Sequence, residues 1–172
     1  MIKFKHKQKL LYLHGLGEEV KFPGGGVLYK ILRDHFNIDF AELSSDPVQG
    51  WKDFRRINFS EHDLVIDFSM GAVYASSQNK TPMVLINPGY GLSRKYQGFK
   101  RIDDLSLGVK KDLVKCILVG TEDKYRNNYI PEIQKRNLTD LIIDFPSGHV
   151  PEENTTVKYI VPEIRKVCLN LK

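Results

Sequence analysis

The sequence predicts an open, mostly parallel α/β sheet of about six strands with helices on both faces. Three observations carry that prediction. Short apolar runs alternate with longer amphipathic stretches along the chain; the runs are apolar on consecutive residues, as strands buried on both faces must be; and no repeat, low-complexity tract or Pro/Gly/Ser-rich linker divides the chain. The 172 residues are 41% hydrophobic and 27% charged, enough for one core without a disulfide or metal staple. That composition also excludes a disordered or collagen-like chain, so a single domain over residues 1–172 is expected.

The first strand is expected over Lys9–Leu13, the first sustained apolar run. The breaker Pro23-Gly24-Gly25-Gly26 then precedes a helix over Val27–Phe36, followed by a strand over Ile38–Leu43. Asp46-Pro47 is a helix-start signal, and the helix it opens is placed over Val48–Ile57. Asp63–Phe68 reads as the third strand, with a Ser-Met-Gly turn leading into a helix over Gly71–Asn79. Met83–Ile86 and Cys116–Val119 follow as strands, then a helix over Asn127–Arg136 and a strand over Leu141–Phe145. The last helix begins near Asn154 and at helical spacing would share one face among Val157, Ile160, Val161, Ile164 and Cys168, with a kink or restart at Pro162.

The net charge of +5 is small for a nucleic-acid binder, and neither finger-type Cys/His spacing nor interleaved RNA-binding aromatics accompany it, so no nucleic-acid partner is expected. Cys116 and Cys168 lie in apolar contexts and read as buried free thiols, which suits a reducing compartment. The apolar run Leu10–Leu13 is too short for a signal or membrane segment, so a cytoplasmic protein with no membrane partner is expected. The N-x-[ST] matches at Asn58, Asn137 and Asn154 then carry no information. No metal-ligand spacing and no cofactor motif is visible. Glu61, His62 and Asp63 are consecutive, and Gly15-Leu16-Gly17 leads to Val20 where a dinucleotide loop needs its third glycine.

Open α/β sheets place ligands at the carboxyl ends of their strands, so the residues after each strand matter most. His14-Gly15-Leu16-Gly17 follows the first, a tight turn able to aim backbone N–H groups at a ligand. Asp67-Phe68-Ser69-Met70-Gly71-Ala72 follows the third and reads as a nucleophile elbow, with Gly71 and Ala72 supplying the small residues needed where strand and helix nearly touch. Asp67 stands where the G-x-S-x-G pattern has its first glycine. Gly120-Thr121-Glu122-Asp123 follows the fifth strand and Gly148-His149 the sixth. Ser69, Asp123 and His149 thus succeed one another in the chain order Ser, acid, His.

These residues resemble the small lidless α/β-hydrolase esterases of the YqiA/YcfP type. Leu10–Gly17 is similar to that family's opening strand and oxyanion turn, Phe68–Ala75 to its elbow, Leu85-Ile86-Asn87-Pro88 to its next strand end, Gly120–Asp123 to its acid turn and Gly148-His149 to its histidine. The resemblance implies a minimal α/β-hydrolase fold and esterase activity.

The chemistry these residues would support is cleavage of a small carboxylic ester or thioester through an acyl-enzyme, with Ser69 as nucleophile, His149 as base and Asp123 orienting the imidazole. By position, the backbone N–H groups of Leu16 and Met70 would form the oxyanion hole. His14 and Tyr90 are expected at the substrate site, with His14 bracing its loop. The alternative is a catalytically impaired scaffold that binds a small acid or a protein partner, because an ionised Asp67 near the hole would oppose oxyanion formation. Between Pro88 and Lys115 seven basic residues stand against three acidic ones, which would favour an anionic ester. With only the loop around Tyr90 to Leu107 above Ser69, a shallow site preferring short acyl chains is expected.

Overall fold

The computed structural model describes residues 8–14, 26–78, 80–91 and 110–171. Strands β1 (Lys9–Leu13), β2 (Asn37–Ala41), β3 (Leu64–Phe68), β4 (Met83–Ile86), β5 (Val114–Gly120) and β6 (Ile142–Phe145) form one sheet. It is covered by α1 (Gly26–His35), α2 (Pro47–Phe54), α3 (Gly71–Ala75), α4 (Arg126–Arg136) and α5 (Val161–Asn170). The spatial order is β2-β1-β3-β4-β5-β6, and every neighbouring pair is parallel. After β2 the chain crosses β1 to begin β3, so the winding reverses between β1 and β3. The crevice above their carboxyl ends, where Leu13 is the register partner of Asp67, is where such sheets bind ligands.

Side chains alternate along each strand, so the sheet feeds two cores. Leu11, Leu13, Val65, Leu85 and Val119 enter one, which is closed by Phe54 of α2, Val73 of α3 and Ile133 of α4. Leu10, Ile66, Phe68, Val84 and Leu118 enter the other, closed by Leu28 and Leu32 of α1 and Ile164 of α5. Both faces are therefore covered. All residues of β3 and β4 are buried, as their consecutive apolar runs require. β2 and β6 are edge strands, and there the sequence reading of full burial gives way: Ile142 and Leu141 are exposed.

Element ends differ where a local partner replaces the expected one. β2 stops at Ala41 rather than Leu43 because Leu13 is the last β1 residue paired with it; the Leu43 amide instead donates to His14 Nε2 at 3.1 Å. Asp46 caps α2 by accepting from the Gln49 amide at 2.8 Å. α3 ends at Ala75, not Asn79, as the Ser76 and Ser77 hydroxyls turn back to the carbonyls of Ala72 and Tyr74, both at 2.6 Å. Thr156–Ile160 forms a π-helical turn ahead of α5. A wider turn takes up one extra residue, so helical spacing no longer carries across it: Val157 faces solvent, while Ile160, Val161, Ile164 and Val167 are buried and Cys168 only partly so. Pro162 lies in the first turn of α5, directly after the π-helical turn. Both cysteines are free, and burial first of all pushes the Cys116 thiol up to about 12 and the Cys168 thiol to about 11. Among the described residues no helix is long and apolar enough to cross a membrane.

Candidate active site

β3 delivers the chain to Ser69, whose φ of 53° reverses it within one residue into α3. A non-glycine residue held there costs about 1–3 kcal/mol, which surrounding structure must offset. The Ser69 amide donates to Ile86 O at 3.0 Å, and its carbonyl accepts from Gly89 N–H at 2.7 Å. A Cβ on Gly71 would lie 2.5 Å from the Leu13 carbonyl oxygen and 2.9 Å from that of His14, which explains the demand for a residue without a side chain.

The loops after β5 and β6 bring the other two groups. His149 Nε2 lies 2.9 Å from Ser69 Oγ, and His149 Nδ1 lies 2.8 Å from Asp123 Oδ2. A carboxylate can only accept, so Nδ1 carries the proton and Nε2 of the neutral ring is left to accept from the Ser69 hydroxyl. The imidazole sits between Phe68, at 5.2 Å between ring centroids, and Tyr125, which meets it edge-on at 5.0 Å. The two loops run close together because Gly120 has no side chain; a Cβ there would stand 2.5 Å from Ser147 O.

Asp123 is buried and fully engaged. Its Oδ1 accepts from the Tyr125 amide at 2.8 Å, and its Oδ2 accepts from both His149 and the Tyr129 hydroxyl, the latter at 2.9 Å. Burial pushes this carboxyl up, but the hydrogen bonds from His149, the Tyr125 amide and Tyr129, with the attraction of His149, outweigh it and hold the group below its ordinary value. It is therefore an anion at neutral pH.

The structure corrects two expectations about this site. Tyr90 is wholly buried, its hydroxyl paired with Ser76 inside the core and its ring stacked under the Arg136 guanidinium at 4.5 Å, so it does not line a substrate surface. Asp67 is wholly buried on the α3 side of β3, between its register partners Leu13 and Leu85, and neither carboxyl oxygen has a hydrogen-bond partner among the described residues. Burial alone raises it well above the ordinary carboxylate value, so a charge directed at the oxyanion is not what it contributes. His14 is buried and braces the segment after β2 through the Leu43 amide. Met70 follows the elbow at the start of α3, whereas Leu16 lies outside the described residues.

Two further residues belong to the site, and the sequence alone assigns a role to neither. Tyr129 gives no signal there. Asn87 has one cue in the sequence, a polar residue closing the wholly apolar strand Met83–Ile86 just before Pro88. Among the described residues no group of three or more His, Cys, Asp and Glu side chains could hold a metal ion.

Neither a protein-family model nor a curated protein matches the chain. Solved structures do. An acetyl xylan esterase from Thermoanaerobacterium sp. superposes with a TM-score of 0.51 at 14% identity, over 98% of this chain and 76% of that one. A capsule O-acetyltransferase of Neisseria meningitidis serogroup A gives 0.50 at 13% identity, over 93% and 87%. An esterase/lipase from an uncultured bacterium gives 0.50 at 14%, over 94% and 77%. This chain has the α/β-hydrolase fold. At such identities the likeness concerns architecture, and the chemistry must be argued from the side chains.

Proposed function

We propose that the protein is a cytoplasmic serine hydrolase of the YqiA/YcfP esterase type, cleaving small carboxylic esters or thioesters through an acyl-enzyme on Ser69. The observation that carries this reading is the unbroken relay from Ser69 Oγ to His149 Nε2 and from His149 Nδ1 to Asp123 Oδ2, at 2.9 and 2.8 Å, with the serine on a strained strand-to-helix turn. Ser69 Oγ bonds to the carbonyl carbon as its proton passes to His149 Nε2. The bond to the leaving oxygen or sulfur then breaks, and that proton goes to the leaving group. Water attacks the acyl-enzyme by the same route in reverse roles, releasing the acid and restoring Ser69. Asp123, held ionised, stabilises the imidazolium in both halves. The Met70 and Leu16 amides would hold the oxyanion.

A fluorophosphonate probe tests the reading directly. It should label the wild-type protein on Ser69 and leave Ser69→Ala unlabelled; folded wild-type protein that resists labelling would instead favour the binding scaffold. Burial raises the Asp67 carboxyl well above its ordinary value, which weighs against a charge opposing the oxyanion.

Substrate size is the next expectation. Each buried methylene contributes about 0.8 kcal/mol only while the pocket can cover it, so rates on p-nitrophenyl esters should level off beyond butyryl if the site is shallow. The basic stretch falls largely within residues 92–109, outside the described residues. If it steers substrate, an anionic short ester should outpace its neutral isostere at low salt and lose that advantage at high salt. Rates still climbing at long chains, or selectivity indifferent to salt, would overturn the respective part.

A further inference from the structure

We propose that Asn87 and Tyr129 are positioning residues acting through the Asp123–His149 couple: Asn87 sets where the imidazole stands, and Tyr129 sets how strongly Asp123 draws on its Nδ1 proton. The inference rests on the hydrolase reading for its kinetic consequence but not for its physical test.

Asn87 closes β4 with a φ of 43°, and it is wholly buried. Its backbone amide donates to Leu118 O at 2.9 Å, which ties it to β5. Its side-chain Nδ2 then donates to His149 O at 2.8 Å and to Gly148 O at 3.3 Å. Its Oδ1 accepts from the Gly120 amide at 2.7 Å, and the Tyr129 oxygen, whose one hydrogen goes to Asp123, lies 3.4 Å away. One amide thus fastens the histidine loop and the acid turn to a single point beneath the site. Both of its hydrogens are used and its oxygen accepts from a backbone amide, as a buried side-chain amide requires. A left-handed backbone and a buried polar group each carry a cost, and the pair persists where it clasps the two loops that hold the relay.

Tyr129 is equally buried, and its hydroxyl reaches the same Asp123 oxygen that receives the His149 proton. Burial, and after it the Asp123 charge, push the phenol far above its ordinary value, so it stays a donor over the pH range in which an esterase works. A donor on Oδ2 spreads the carboxylate charge and weakens its hold on the imidazolium. Removing the hydroxyl leaves His149 as the only donor to Oδ2 among the described residues. The imidazolium then becomes more stable, and its titration moves to higher pH.

The test follows the imidazole resonances of isotope-labelled protein against pH in wild type, Tyr129→Phe and Asn87→Gly, with His149→Ala to assign the signal. Tyr129→Phe should raise the His149 midpoint by about 0.5 to 1 pH unit and leave the other histidines in place, and the acid limb of kcat/KM should move with it. Asn87→Gly keeps the left-handed backbone and removes the buried side chain that makes the clasp, so in the folded variant kcat should fall about 10- to 100-fold with KM unchanged. Incorporated fluorotyrosine, a stronger donor of nearly the same shape, should move the midpoint the opposite way and stands in if Tyr129→Phe does not fold. An unmoved midpoint in the folded tyrosine variants overturns the role of Tyr129, and an unchanged kcat in Asn87→Gly overturns that of Asn87. A moved midpoint in protein that resists the fluorophosphonate probe would sink the hydrolase reading and leave the Tyr129 inference standing.

Discussion

Ser69→Ala and His149→Ala are each expected to lower kcat on a p-nitrophenyl ester by on the order of 10⁶, and combining them should cost little more than either alone. The reason is geometric. Ser69 Oγ, His149 and Asp123 form one continuous chain of hydrogen bonds, so a proton that cannot leave the serine stops the reaction as completely as a missing hydroxyl. Asp123→Asn should fall less far, about 10³- to 10⁴-fold, because an amide can present its N–H to Nδ1 and turn the ring to the wrong tautomer while binding persists. Steady-state kinetics on purified variants check the series, with thermal melts run beside them. Ser69 ends β3 at the mouth of the sheet, and its loss removes no core packing, so cooperative unfolding should be retained. Full turnover in Ser69→Ala would refute the nucleophile, and unchanged turnover in Asp123→Asn would move the acid's role elsewhere, to Glu122 first.

The second large effect is on stability. Asp67 has a folded-state value well above the ordinary 3.8 because its carboxyl is wholly buried without a hydrogen-bond partner among the described residues. Unfolding lets it ionise. Above about pH 4 the unfolded chain therefore releases a proton that the folded chain keeps, so stability falls as pH rises, at up to about 1.4 kcal/mol per pH unit, until pH reaches the folded-state value. Asp67→Asn has nearly the same shape and does not titrate. It should match wild type near pH 4 and become more stable than wild type as pH rises, until pH reaches the folded-state value of Asp67. Urea melts of both proteins between pH 4 and pH 8 measure the gap; curves that stay parallel would mean that Asp67 is not a buried neutral acid. The expected sign is opposite to that of a salt-bridged aspartate such as Asp123, whose lowered value contributes stability above the unfolded value and loses it as pH falls.

Much of this protein is written locally. The apolar runs of β3 and β4 are long enough, and apolar enough on both faces, to name themselves as central parallel strands, and the small residues after Phe68 announce the elbow because only small side chains clear the β1 carbonyls. Ser69, Asp123 and His149 were legible for the same reason, since each follows a strand and their order along the chain is itself a signal. What chain order could not supply is anything that depends on packing between distant segments. Tyr90 belongs to the core because Ser76 and Arg136 meet it there, and neither is near it in sequence. The outward turn of Val157 follows from one π-helical turn that breaks the helical period. Asp67 reads as a charge in sequence and as a neutral acid in the fold, because only the surrounding layers remove its water. Asn87 and Tyr129 are decided by the fold alone: their partners lie up to 62 residues away, and hydrogen bonds across strands leave no periodicity for a sequence to display.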